Sequence, residues 1–278
     1  MSDQDKTVKI SAETWSKLQT LYQTELKDID LVVEEAVQAY LKNLETGSLS
    51  NGQPQNALRR PEATFKPQTH LRQIPVVPGE AAVLFIDVQN YNCHKDGAEM
   101  QGLPPDTPVD YWWKRMEETA PKWVQLRDTC REAGIEVMYT VIQSLTADGR
   151  DQSLDYKISG FHVPPGSFDA EVLNCIAPGP DEIVLPKTSS NVFASTNIDY
   201  ILRSLGVKFL ILAGCLTDQC VESAVRDACD KHYYVTLVTD ACATFSQERH
   251  DNSLRTINGF CRQRTVQQLA DEIAQAKK

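Results

Sequence analysis

The side chain with the most chemical reach is Cys220. It lies in FLILAGCLTDQCVESAVRDA, Phe209 to Ala228, where an apolar run breaks at Gly214 and a helical pattern begins near Cys220, continuing through Val221, Ala224, Val225 and Ala228. Strand, turn, helix places the thiol at or near a helix N-terminus, where unpaired N–H groups and the helix dipole favour thiolate over thiol. Such a sulfur is a nucleophile. Taken alone, one cysteine among eight is more simply a small buried hydrophobe. Two other side chains alter that balance, because Asp87 and Lys187 each follow an apolar run, AAVLFI and EIVLP. Singly, the carboxylate reads as a turn cap and the lysine as a solvated strand end. Their coincidence with a cysteine at a helix start is what favours a reactive thiol over a buried one.

Five apolar runs, Ala81 to Val88, Ile135 to Ile142, Glu182 to Pro186, Lys208 to Ala213 and Tyr233 to Val238, have strand length. Helix-length amphipathic segments fall between most of them: Asp110 to Ala133, Asn197 to Leu205, Cys220 to Lys231 and Ser246 to Asn258, with a last helix over Thr265 to Lys278. Short β-rich runs separated by helices predict an α/β fold: a mostly parallel, Rossmann-like sheet with helices on both faces. In such a sheet the site lies at the carboxyl ends of the strands, where Asp87, Lys187 and the turn before Cys220 all fall.

A smaller α-rich appendage precedes this body. KTVKI alternates, Ser11 can cap a helix containing Trp15, Leu18, Leu21 and Tyr22, and DLVVEEAVQAYLKNL forms a second. One strand and two helices bury little alone, so the unit is expected to pair with a copy of itself. It resembles a ribbon-helix-helix unit, which implies either DNA binding or oligomerisation. Five lysines stand against nine acids from Met1 to Gly47, and this net −4 favours oligomerisation. The expected division is 1–48 for this segment, 49–78 for a linker or arm rich in Gly, Ser, Asn and Pro, and 79–278 for the α/β domain.

The formal charge of −10 weighs against nucleic acid or an anionic membrane as the main partner. No apolar run reaches the ~18 residues of a membrane span, and MSDQDKTVKIS lacks a signal-peptide core, so the cytoplasm is the expected location. The cysteines at 93, 130, 175, 215, 220, 229, 242 and 261 form no C-x-x-C pair and are expected as free thiols.

From about Ala81 onward the chain resembles the isochorismatase-like cysteine hydrolases, which include N-carbamoylsarcosine amidase, ureidoacrylate and biuret hydrolases and nicotinamidase. The matching blocks are D-x-Q-N at Asp87, Gln89 and Asn90, Leu185-Pro186-Lys187, and G-x-x-T-D-x-C-V with R-D-A at Gly214, Thr217, Asp218, Cys220, Val221, Arg226, Asp227 and Ala228; D-A-x-A-T follows at Asp240 to Thr244. The resemblance implies a catalytic set of Asp87, Lys187 and Cys220, with the acid serving as base and then acid. It also implies an oxyanion hole from the backbone N–H of Leu216 and Cys220, with a cis Cys215–Leu216 bond. Substrate contacts are expected from Asn92, Gln143, Asn191 and Phe193, and residues 149–168 are expected to form a lid or a surface loop.

Tyr91 and Asn92 replace the Asp-Phe common after Asn90, and Ala224 stands where many members have Thr. None of the histidines at 70, 94, 162, 232 and 250 fits the family's metal pattern, so no metal and no cofactor are expected. The implied activity is metal-independent cleavage of a C–N bond in a small amide or ureide by a homo-oligomer, dimer or tetramer. The alternative is a ribbon-helix-helix regulator with a ligand-sensing hydrolase-like domain.

Overall fold

The computed structural model describes Ser16, Gln38, Lys42 and residues 63–276 apart from Pro108. The expected strand and helices of the 1–48 segment and residues 49–62 of the arm lie outside the described residues. The chain divides into two compact units, 1–66 and 67–278, and the second carries all the elements below.

In chain order they are β1 (Ala81–Ile86), α1 (Asn90–Cys93), α2 (Ala98–Gly102), α3 (Val109–Glu132), β2 (Glu136–Ile142), α4 (Leu154–Ser159), β3 (Ile183–Lys187), α5 (Val192–Ser195), α6 (Ile198–Ser204), β4 (Phe209–Cys215), α7 (Glu222–Asp230), β5 (Tyr234–Ala243), α8 (Gln247–Ile257), β6 (Arg262–Arg264) and α9 (Val266–Ala276). The strands form one sheet in the order β3-β2-β1-β4-β5-β6, with every adjacent pair parallel. This is the doubly wound order, and its direction reverses between β1 and β4. Asp87 follows β1 and Cys220 follows β4, so two of the three chemical groups flank the reversal.

Both faces are covered. Trp112, Trp123 and Leu126 of α3 and Leu269 and Ile273 of α9 pack against Val83, Phe85 and Ile211. On the other face Ile198 and Leu202 of α6, Val225 and Ala228 of α7 and Ile257 of α8 pack against Leu84, Leu210 and Leu212. β1 and β4, buried throughout, read as continuous apolar runs because neither strand has a wet face. Pro186 is tolerated in β3 because β3 is an edge strand.

β6 has no apolar run to announce it. Its Arg262 is buried, donating to Thr236 Oγ1 at 2.7 Å and to both Glu272 oxygens at 2.8 and 2.6 Å. The same Glu272 takes the N–H of Val76 at 2.9 Å, which fastens the end of the arm to the body. No helix among the described residues is long and apolar enough to cross a membrane.

Gly214 is where the sheet comes closest to itself. Its φ is 122°, and a Cβ there would lie 2.1 Å from Ile86 O on the neighbouring strand. Both the conformation and the space exclude a side chain. Gly214→Ala is expected to destabilise the fold by about 3 kcal/mol or more, read by chemical denaturation. Wild-type stability in this variant would contradict the packing described.

Candidate active site

Three strands converge on one buried triangle. Lys187, fully buried at the end of β3, places Nζ 2.9 Å from Asp87 Oδ2 and 3.4 Å from Cys220 Sγ. Two more acceptors hold the ammonium, Ser189 O at 3.0 Å and the hydroxyl of Tyr156 at 2.6 Å. Asp87 itself has a left-handed backbone, φ 54°, at the point where β1 turns away. Its N–H donates to Thr140 O at 3.0 Å and its Oδ1 accepts from Thr140 Oγ1 at 2.8 Å. Oδ2 has the lysine beside it but no directed hydrogen-bond donor, so it is the oxygen open to a proton.

Burial alone would push Lys187 down, yet Asp87, Cys220 and Tyr156 together hold its ammonium well above the usual lysine value. Burial likewise pushes the Cys220 thiol up to about 11; Lys187 pulls it down and Asp87 adds to the rise. The resting sulfur is therefore a thiol. The helix-terminus reading, which favours thiolate, is outweighed here because the group is desolvated and faces a carboxylate. A thiol in this setting can act as a nucleophile only if its proton leaves, and Asp87 Oδ2 is a carboxylate oxygen of the triangle without a hydrogen-bond donor.

The nucleophile motif is mostly scaffolding. Cys220 sits in a π-helical turn, Thr217–Val221, immediately before α7. Thr217 bonds through Oγ1 to His250 Nδ1 at 3.0 Å, and burial lowers that imidazole to about 4, so it stays neutral. Asp218 accepts from Thr244 Oγ1 at 2.5 Å and from Arg249 Nε at 2.6 Å. The Cys215–Leu216 peptide is cis, as expected from the resemblance. Gln89 plays a corresponding part after β1: Nε2 donates to Ile142 O and Asp169 O at 3.0 and 2.8 Å, and Oε1 accepts from Ile142 N at 2.6 Å.

A cleft of about 400 Å³ adjoins the turn that carries the sulfur, lined by Leu216 and Gln219 of that turn, Ser190, Phe245, Arg249, Glu99 of α2, and Asp155, Ser159 and Phe161. Ser190 Oγ lies 3.8 Å from Cys220 Sγ and links cleft to triangle.

The four residues expected as substrate contacts are placed as follows. Asn191 caps α5, accepting from the N–H of Phe193 at 2.8 Å, and gives its amide to Asp227 Oδ2 at 2.7 Å, so both ends of its side chain are engaged inside the fold. Phe193 is a core residue beside Tyr233, its ring centroid 6.2 Å away. Gln143 is half-buried and gives its N–H to Lys187 O at 3.2 Å, while Asn92 is buried on α1 with Oδ1 unpartnered. None of the four lines the cleft, and neither do Asp87, Lys187 and Cys220, which Ser190 joins to it.

Residues 149–168, expected as a lid or a surface loop, pack onto the body and supply part of the cleft wall. Ser153 N–H donates to Thr188 O at 2.8 Å, Tyr156 and Val163 are fully buried, and Phe161 packs on Tyr91 and Tyr156. Sequence reading missed Tyr156. Its signal was a lone aromatic in a polar segment, and only the tertiary fold shows that it reaches a buried lysine.

A family model of the isochorismatase domain matches residues 81–268. The chain belongs to the isochorismatase-domain family. Among its relatives, the ureidoacrylate amidohydrolase RutB of Rhizobium rhizogenes is 26% identical over 225 residues, covering 71% of this chain and 87% of that protein. Nicotinamidase 3 of Arabidopsis thaliana is 31% identical over 133 residues, 47% of this chain and 66% of that one. Of solved structures, a cysteine hydrolase from Pseudomonas syringae pv. phaseolicola superposes with a TM-score of 0.63 at 24% identity, covering 73% of this chain and 96% of that one. N-carbamoylsarcosine amidase from Thermoplasma acidophilum gives 0.53 at 25% identity, with 67% and 96% covered.

Within this isochorismatase-family domain, the raised thiol carries a sharp expectation. With its thiol at about 11, Cys220 is ionised in roughly one molecule per thousand near pH 8. Asp87→Asn removes a group that raises the thiol and leaves Lys187 to lower it. Alkylation of Cys220 by iodoacetamide near pH 8 is expected to speed up by about tenfold or more. Peptide mass mapping separates it from the exposed Cys175. Slower or unchanged labelling would contradict the electrostatics described.

Proposed function

We propose that the chain is a cysteine amidohydrolase that cleaves a C–N bond of a small amide or ureide without a metal. The observation that carries this reading is the buried triangle: one ammonium within reach of both a carboxylate and a thiol, at the carboxyl edge of the sheet and joined to a neighbouring cleft through Ser190. Membership of the isochorismatase-domain family and the likeness to RutB and N-carbamoylsarcosine amidase support it.

In this reading Cys220 Sγ attacks the carbonyl carbon as its proton passes to Asp87 Oδ2, and Lys187 balances the charge left on sulfur. The N–H groups of Leu216 and Cys220 receive the oxyanion. Asp87 then returns the proton to the departing nitrogen, and the C–N bond breaks to leave an acyl or carbamoyl group on sulfur. Water, deprotonated by the same carboxylate, releases that group and restores the thiol. Tyr156 accepts a hydrogen bond from Lys187 and so leaves fewer ammonium protons to be placed on Asp87 and sulfur.

The regulator alternative is disfavoured by the acidic N-terminal segment. That segment is read instead as an oligomerising piece of a cytoplasmic enzyme. Sedimentation of the full chain should give a dimer or tetramer and a chain starting at Pro67 a smaller species; identical masses would remove that role.

Purified protein is expected to release ammonia from at least one member of a panel of primary amides and N-carbamoyl compounds, and Cys220→Ala to lose about three orders of magnitude or more of that rate. Silence across the panel, or full activity in the variant, would overturn the assignment.

A further inference from the structure

The cleft beside Cys220 carries a carboxyl that the triangle does not use. Glu99, on α2, lines the cleft and has no hydrogen-bond or ion-pair partner among the described residues. Glu99 is half-buried and its carboxyl opens on the cleft, so water or a bound ligand there has to complete its hydrogen bonds. The surrounding charge sharpens the point. The one cation lining the cleft, Arg249, is committed to Asp218, with Nε 2.6 Å from Oδ2, and lies 5.9 Å from the ring of Phe245. Lys187 is buried and held by Asp87, Tyr156 and Ser189. Asp155 adds a second carboxylate to the cleft wall. Arg249 is engaged through Nε alone, but two carboxylates, Glu99 and Asp155, line the same cleft against this one guanidinium, whose charge Asp218 already balances, so the wall is acidic on balance and offers an ammonium or N–H donor an unpartnered acid.

Resting on the hydrolase reading above, we propose that Glu99 is the specificity-determining residue and that the substrate is an amide or ureide whose far end carries an ammonium or other N–H donor rather than a carboxylate. A carboxylate accepting charge-assisted hydrogen bonds from such a group gains both energy and orientation. A carboxylate-ended compound would instead meet like charge in a narrow cleft. This sets the chain apart from its ureidoacrylate-cleaving relative, whose named substrate ends in a carboxylate.

The groups facing Glu99 are Asp87 at the end of β1, Tyr91 of α1, Asp169, whose Oδ1 accepts from Ala98 N–H at 2.8 Å at the start of α2, Asp155 of α4 and Arg249 of α8. Burial first and Asp87 second raise the Glu99 carboxyl to about 7. It is ionised above that pH and neutral below it, so its hold on an ammonium strengthens as pH rises through neutrality.

Three N-carbamoyl probes of equal chain length decide the matter: 3-ureidopropylamine, propylurea and 3-ureidopropionate. Wild-type kcat/KM is expected to favour the ammonium probe over the carboxylate probe by about tenfold or more, and Glu99→Gln to reduce that ratio by about tenfold, largely through KM. The preference for ammonium over neutral probe should grow from about pH 6 to about pH 8 in wild type and stay flat in Glu99→Gln. Calorimetric binding to Cys220→Ala, and to the same protein with Glu99→Gln added, gives the ratio without turnover. If Cys220→Ala binds the ammonium probe in a Glu99-dependent way while wild type hydrolyses none of the three, the hydrolase reading fails and the role of Glu99 stands. Preference for the carboxylate probe, an unchanged ratio in Glu99→Gln, or no binding of any probe would overturn the proposal.

Discussion

A single ammonium buried at the carboxyl edge of the sheet sets the terms for everything around it. Lys187 has no access to water, and a bare charge there would cost several kcal/mol. Its neighbours answer that cost: Asp87 as counter-ion, Tyr156 and Ser189 as acceptors and Cys220 at the far side. Because Asp87 neutralises the lysine, the sulfur remains a thiol at rest; because Lys187 touches the sulfur, charge can appear there during attack. The same arrangement that makes the pair tolerable in the fold makes the nucleophile conditional on proton transfer.

The rest of the domain serves to bring these groups together. The parallel sheet delivers Asp87, Lys187 and Cys220 from three strands whose carboxyl ends share one edge. Gly214 allows β4 to lie against β1, and the side chains of Thr217 and Asp218 tie the nucleophile turn to α8 and to the end of β5. Thr140 and Gln89 hold the turn after β1 against β2. The motif is thus a set of ties around one reactive atom, and most of its members never face the cleft.

Much of this was legible in the sequence because strand burial and helix amphipathicity are local patterns. The five apolar runs became β1 to β5, and the three chemical side chains closed or followed them. β6 was hidden because its burial depends on a charged side chain, Arg262, finding Glu272 on α9. Pocket residues were hidden for a similar reason: Asn191 and Phe193 sit in a loop of the right composition, but a cap and a core contact take them away from the cleft. Composition cannot distinguish an amide facing a ligand from one facing Asp227. Tyr156 and Glu99, which do reach the lysine and the cleft, come from segments with no periodic signal.

The most direct test is to catch the acyl group on sulfur. Protein quenched with acid during turnover of a hydrolysed ureide, digested and mapped by mass spectrometry, should carry the carbamoyl mass on the peptide containing Cys220, with no such adduct in Lys187→Met. Turnover with no adduct at any time, or an adduct on a different residue, would contradict the account.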